Sequence, residues 1–253
     1  MAQSKRILLA LFLELICLYS CGQKAIRYMR TDMEGTVKKG SVVHITNQRE
    51  IRLNDLVYYK YYDKWVSDTM ANISRIIGTP GDTVLIMNCQ VFVNSRVFQF
   101  PDTRKLGYRV YVRNENDWAK LGAYFHRKIE SEFDRVYFLS VKEVDELNKM
   151  TFVDSMKIYG ADSTYKSAIG VSNSSFRFNN TSFFGPVIIP TRGTKVTADL
   201  LQILPMTRGL QIGQELTEDL YFILGDNFHE SVDSRVIGLL PGTRISGIVT
   251  NYN

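Results

Sequence analysis

The sequence predicts a mainly β fold with minor helix, and three observations lead there. Alternating, β-branched segments recur from Gly40 onward, turns rich in glycine and proline separate them, and few stretches have helical periodicity. The length of 253 residues fits one large β or mixed domain, or two small ones, and 45% hydrophobic residues suffice for a real core.

In chain order, residues 22–36 read as a short polar tether and turn. Ser41–Ile45, Asp55–Tyr59 and Ser74–Ile77 have the alternation of strands. Thr79-Pro80-Gly81-Asp82 predicts a tight turn, because proline presets one backbone angle and glycine permits the next. Thr83–Met87 and Gln90–Val93 follow as a hairpin pair. Residues 96–183 differ in texture. Phe133–Leu139 is a candidate strand, and Val141–Lys149 is the best helix candidate. Glu143, Asp145 and Glu146 lie toward its start, where the helix dipole favours acids. The Asn- and Ser-rich stretch Asn173–Ser182 reads as a loop. Strands return at Pro186–Pro190 and Leu220–Leu224, with a second helix expected over Ala198–Leu204.

The net charge of +5 is mild and dispersed, with no Lys/Arg run beyond two residues after the N-terminus. That argues against a nucleic-acid partner. Cys17, Cys21 and Cys89 make no disulfide framework. His44, His126 and His229 are scattered, so no metal site and no cofactor are expected.

Lys5 and Arg6 form a positive n-region ahead of the apolar segment Ile7–Leu18, which Glu14 interrupts. A helical span needs about 20 apolar residues, and a carboxylate at mid-span is costly. Residues 1–20 therefore read as a signal peptide. Leu18-Tyr19-Ser20-Cys21 resembles a lipobox, which implies acylation of Cys21 and a lipid anchor in the bacterial cell envelope. Gly22, Gln23 and Lys24 carry no acidic run, which favours a periplasm-facing site.

Three further segments carry a family resemblance. Gly225-Asp226-Asn227 is followed by Ser231, then Asp233-Ser234-Arg235, Gly238 and Pro241. Arg75-Ile76-Ile77-Gly78-Thr79-Pro80-Gly81-Asp82 precedes Val91-Phe92-Val93-Asn94. Asp32-Met33-Glu34-Gly35-Thr36 leads to Gly40. Together and in this order they resemble bacterial type I signal peptidase, of the S26 peptidase family. Phe184–Pro190 is similar to the segment before the last motif in members with a long insertion. The resemblance implies a signal peptidase-like β-rich core with an inserted α+β domain. The division expected is a signal peptide over 1–20, an anchored tether and nucleophile turn over 21–36, core over 37–95, insertion over 96–183, and core again over 184–253.

The family's reaction needs a serine nucleophile and a neutral lysine that takes its proton. By motif, Asp32 stands at the nucleophile position, Ser74 at the base position, Arg30 at the residue that helps stabilise the oxyanion, and Gly35 at the family's proline. No catalytic residue is therefore expected. Ser231, Asp233 and Arg235 are expected to brace the fold through an ion pair and turn hydrogen bonds. Gly78, Pro80, Gly81 and Asp82 shape a turn, and Arg75, Gly225, Asp226, Asn227 and Ser234 complete the scaffold motif. The expectation is a pseudo-peptidase that binds an extended peptide or an envelope protein partner, or assembles into a membrane complex. An active peptidase with relocated groups, in which Thr31 or a neighbouring lysine such as Lys38 has taken over, is the alternative. A structural lipoprotein with a collapsed groove is the third reading.

Overall fold

The computed structural model describes residues 23–47, 50–63, 67–125, 135–160, 178–205 and 209–253. The expected signal peptide, Cys17, Cys21, His126 and the first half of the expected Asn/Ser loop lie outside these residues. Among the described residues no helix is long and apolar enough to cross a membrane.

The described fold is mainly β and antiparallel. Strands β1 (Gln23–Arg27), β2 (Val42–Thr46), β3 (Leu56–Asp63) and β4 (Asp68–Gly78) precede the hairpin of β5 (Thr83–Met87) and β6 (Gln90–Val93), with β7 (Arg96–Val97) at its edge. Next come β8 (Leu106–Val112), α1 (Asp117–Tyr124), β9 (Val136–Leu139), α2 (Val141–Asn148) and β10 (Val153–Ile158). The chain closes with β11 (Phe178–Asn179), β12 (Phe184–Ile188), α3 (Ala198–Gln202), β13 (Leu220–Leu224), α4 (Ser234–Ile237), β14 (Leu240–Pro241) and β15 (Ile245–Tyr252). A seven-stranded sheet has the order β1-β2-β15-β3-β4-β13-β14, and a five-stranded sheet the order β11-β12-β5-β6-β7. A third sheet, with the order β10-β8-β9, is formed by residues within the 96–183 range expected as an insertion, with α1 and α2 beside it in sequence.

Cores follow the sheets. Ile77, Val84, Ile86, Phe184 and Phe222 fill the space between the two larger sheets, and Val57, Tyr59, Ile76 and Ile223 form a second cluster. Tyr28, Met33, Val43, Ile45 and Ile73 form a third. Val110, Leu121, Tyr137 and Leu147 form a fourth. Each such side chain stabilises the fold by about 1.5–3 kcal/mol when fully buried.

Two elements position the site. The first is β1. Where the sequence reads as a tether, Gln23–Arg27 pairs antiparallel with β2, from Gln23↔Thr46 to Arg27↔Val42. The chain therefore enters the fold as an edge strand, and Lys24 and Arg27 on it are exposed. Edge strands commonly carry such charges, which block pairing with another chain. The second is β4, longer than the Ser74–Ile77 expected. Along its whole length it pairs with β3, from Leu56↔Arg75 to Asp63↔Asp68. Its other edge is taken by β13 only opposite Arg75, Ile76 and Gly78. The half from Asp68 to Ser74 thus has a single ladder partner among the described residues.

Elsewhere, α2 starts at a capping box. Ser140 accepts from the Glu143 amide, and the Glu143 carboxylate accepts from the Ser140 amide at 2.7 Å, satisfying two otherwise unpaired donors.

Candidate functional site

After β1 the chain turns through Thr31–Thr36 and is fixed from both sides. Thr36 and Val37 amides donate to the Met33 carbonyl, each at 2.9 Å, and the Met33 side chain is fully buried. Asp32, one residue earlier, is only 2% exposed. Its Oδ1 accepts from Asn72 Nδ2 and from the Val232 amide, both at 2.8 Å. Its Oδ2 accepts from Arg30 Nε at 2.9 Å. The Asp32 carbonyl accepts from the Asn227 amide at 2.9 Å, and Ser231 Oγ, 3.0 Å from it, sits closer still to the Asn227 carbonyl at 2.6 Å. Both carboxylate oxygens and the main-chain oxygen are therefore engaged, which is how a buried carboxylate is tolerated.

The base position is closed in a different way. Ser74 is fully buried, and its Oγ lies 3.2 Å from the Tyr59 hydroxyl. Tyr59 donates to the Val232 carbonyl at 3.2 Å, so Ser74 supplies the proton of the Ser74–Tyr59 contact. Asn72, two residues before Ser74, joins the parts. Its Oδ1 accepts from the Ile73 amide at 2.8 Å and from the Tyr28 hydroxyl at 3.1 Å. Burial, with the Asp32 charge adding to it, raises the pKa of the Tyr28 and Tyr59 hydroxyls well above the ordinary tyrosine value. Both stay neutral donors and cannot serve as bases. Burial works to lower the Arg30 guanidinium's pKa, and the Asp32 charge and hydrogen bond outweigh it, leaving Arg30 above its ordinary value.

Around this centre stands an ion-paired frame. Arg75 Nε donates to Asp226 Oδ1 at 2.9 Å, and its Nη1 to Asn54 Oδ1 at 2.8 Å. Asp226 also accepts from Thr36 Oγ1 at 2.6 Å, tying the frame to the turn that holds Asp32. Arg235 Nε donates to Asp233 Oδ1 at 2.9 Å, and its terminal nitrogens donate to the Thr181 and Phe228 carbonyls. Ser234 Oγ accepts from the Ile223 amide at 2.8 Å. In the Gly78–Asp82 turn, Asp82 Oδ2 accepts from the Thr79 amide at 2.8 Å, while the Gly81 amide, beside Pro80, donates to the Ile189 carbonyl at 2.8 Å. Gly225 has to lack a side chain, because a Cβ there would collide with Ser231 Oγ and lie 2.6 Å from the Asp32 carbonyl.

Gly35 marks a change of backbone as well as of residue. Its φ is +103°, and a Cβ would collide with the Thr103 carbonyl. Proline is held near φ −65°, so the residue that the resemblance implies at this position cannot adopt the turn seen here.

A separate polar cluster joins the insertion to the core. The Gly107 amide donates to His229 Nδ1 at 2.8 Å, which leaves Nε2 as the donor facing Ser182 Oγ at 3.3 Å and Cys89 Sγ at 3.7 Å. Burial, then the charges of Arg235 and Arg104, lower the His229 pKa to about 3. Burial pushes the Cys89 thiol up, so it is a poor nucleophile. Cys89 is free and buried.

Of the residues singled out in the sequence, the structure brings Arg30, Asp32 and Ser231 together, and links Ser74 to them through Tyr59 and Val232. Thr31 and Lys38 are exposed, and no lysine is hydrogen-bonded to Thr31, Asp32 or Ser74 among the described residues. Cys21 lies outside the described residues. Sequence reasoning missed Tyr28, Tyr59, Asn72 and the Val232 amide. Asn72 had a signal, since strand alternation puts residues 72 and 74 on one face; the tyrosines had none. Among the described residues, no three His, Cys, Asp or Glu side chains gather as metal ligands.

A β-rich core with these motifs at one centre defines a class, the signal peptidase-like fold. The chain belongs to the signal peptidase family, peptidase S26, whose family model matches residues 2–159 and 161–252. Among solved structures it is similar to a signal peptidase I from Enterococcus faecalis V583, at 14% identity, covering 80% of this chain and 98% of that one, with a TM-score of 0.32. That overlay is too loose to transfer any geometry. Comparison with curated proteins gives no significant match. Membership of this family implies a membrane-associated, envelope context.

Proposed function

We propose that this chain is a catalytically inactive signal peptidase-like envelope protein that binds an extended peptide or protein segment, as a binding or assembly subunit at a membrane. The observation that carries this reading is the state of Asp32. It is buried, both carboxylate oxygens are occupied, and its nearest cation is an arginine, which does not give up its proton in proteins. Ser74, in the base position, has no basic form in the working pH range. Groups that act as a unit lose most of their rate when one member goes, and here both have been replaced.

The open half of β4 supports binding over a purely structural role. Asp68–Ala71, the part of this half outside the fully buried Asn72–Ser74, has one edge unladdered, and such an edge can accept an extended chain by β-augmentation. Acylation of Cys21 would hold the protein at the bilayer.

The test is incubation of the purified protein with a signal-peptide substrate, alongside a serine-directed acylating probe. No specific cleavage and no labelling are expected. Cleavage that disappears in Thr31→Ala or Asp32→Asn would refute the proposal and support an active enzyme with relocated groups.

A further inference from the structure

Arg30 is held by one nitrogen only. Its Nε is engaged by Asp32, and Asp32 is itself fixed by Asn72 and Val232, so the carboxylate cannot follow a moving guanidinium. No hydrogen bond engages the two terminal nitrogens of Arg30 among the described residues, and the side chain is 25% exposed. This differs from Arg75 and Arg235, whose terminal nitrogens are bonded inside the protein. A guanidinium pinned at Nε by a buried acid presents its other N–H groups in a fixed direction, a geometry suited to a second carboxylate.

The position matters as much as the chemistry. Asp32 is 2.8 Å from Asn72 on β4, so Arg30 lies one carboxylate away from the strand whose outer half has an open edge. An extended peptide added to Asp68–Ala71, where the Thr69 amide is already taken by Asp68 Oδ1 at 2.6 Å and the Ala71 amide has no such side-chain partner among the described residues, would run toward Arg30. Asn72 Oδ1 already takes the Ile73 amide, closing the edge just before Ser74. A strand added there therefore has to stop near Asn72, beside the free guanidinium. Met29, next to Arg30, is 57% exposed, giving the approach apolar surface.

We propose that the Arg30–Asp32 pair recognises the free α-carboxylate at the C-terminus of an extended, largely apolar peptide laid along the open edge of β4. This rests on the peptide-binding reading and names its ligand: a peptide end, where a peptidase would need a continuous chain. Capture of an end carboxylate at the close of a strand edge needs only backbone donors and one fixed cation.

The experiment uses the full chain in detergent and one fluorescent apolar peptide in three forms: free acid, C-terminal amide, and free acid extended by two residues. Binding is read by anisotropy. The free acid is expected to bind about tenfold or more tightly than the amide, in line with a charge-assisted hydrogen bond. The extended form, which also ends in a free carboxylate, is expected to bind as tightly as the shorter acid after a two-residue shift along the edge. Arg30→Gln is expected to erase the difference between acid and amide, with a melting curve recorded to show that it folds. Equal binding of acid and amide to the unsubstituted protein overturns this proposal and leaves the peptide-binding reading standing. A preference for the acid that survives in Arg30→Gln overturns the role of Arg30. Failure of all three peptides to bind overturns both readings. The comparison of the three peptides needs no variant, so an unstable Arg30→Gln leaves it decisive.

Discussion

Two buried ionic networks lie side by side in this molecule, and they are built to different ends. In the frame, Arg75 and Arg235 each chelate an aspartate and use their remaining N–H groups on neighbouring loops. These side chains are 8% and 3% exposed, and the arginines join β4, the Asp226 turn and α4 into one body. In the centre, Arg30 touches Asp32 through a single nitrogen and stays a quarter exposed. The frame is closed; the centre is closed on its inner side and open on its outer one. Asn227 Oδ1, beside this centre, is buried with no hydrogen-bond partner among the described residues, whereas Asp32 and Ser74 are both engaged. Each replaced position found partners, as buried groups must if the fold is to survive.

The comparison can be broken at either network. Arg75→Met leaves Asp226 buried without its cation and is expected to cost about 3–5 kcal/mol, read by urea unfolding. A cost under about 1 kcal/mol would mean that the frame is not what holds the turn. Asp32→Ala strands the Arg30, Asn72 and Val232 donors and is expected to cost about 2–3 kcal/mol. A value as large as that for Arg75→Met would erase the distinction drawn between the two networks, and a negligible one would show that the centre carries no structural weight.

The third perturbation is pH, acting where the frame meets the insertion. The unfolded chain's histidine takes a proton near pH 6.5, whereas His229 in the folded protein resists until about pH 3 because of burial, Arg235 and Arg104. The folded pKa is depressed, so folding excludes a proton and stability falls as pH drops through that window. The loss attributable to His229 is up to about 1.4 kcal/mol per pH unit. His229→Gln should flatten that part of the curve, and an unchanged slope between pH 6 and 4 would remove His229 from the account.

Much of the fold was legible because its signals are local. Thr83–Met87, Gln90–Val93 and Leu220–Leu224 are observed as the alternation and turn residues predicted. The helix expected over Val141–Lys149 ends one residue earlier. The elements that were missed lack such signals. The tether expected over residues 22–36 contains β1, because a strand with Ile26 as its one large apolar residue is stabilised by its ladder to β2 and not by its own pattern. In α1, Leu121 is the one fully buried hydrophobic residue, too few to mark a helical face. Strand β11 falls inside the expected Asn/Ser loop, where two residues pair with β12. At the centre, the motifs gave Asp32, Ser74 and Arg30 as replaced positions. What fills the space around them depends on register, since Tyr59 meets Asn72 only because β3 and β4 pair Tyr59↔Asn72. No spacing in a single sequence reports that.

The place where β1 begins has a mechanical consequence. If Cys21 carries acyl chains, only Gly22 separates it from Gln23, the first described residue of β1, so two chain steps join them. An extended chain reaches about 3.5 Å per residue, so the slack is about 7 Å. The body would then ride flush against the lipid headgroups with little freedom to swing, and any guest would have to arrive sideways along the bilayer surface, not drop in from the open periplasm.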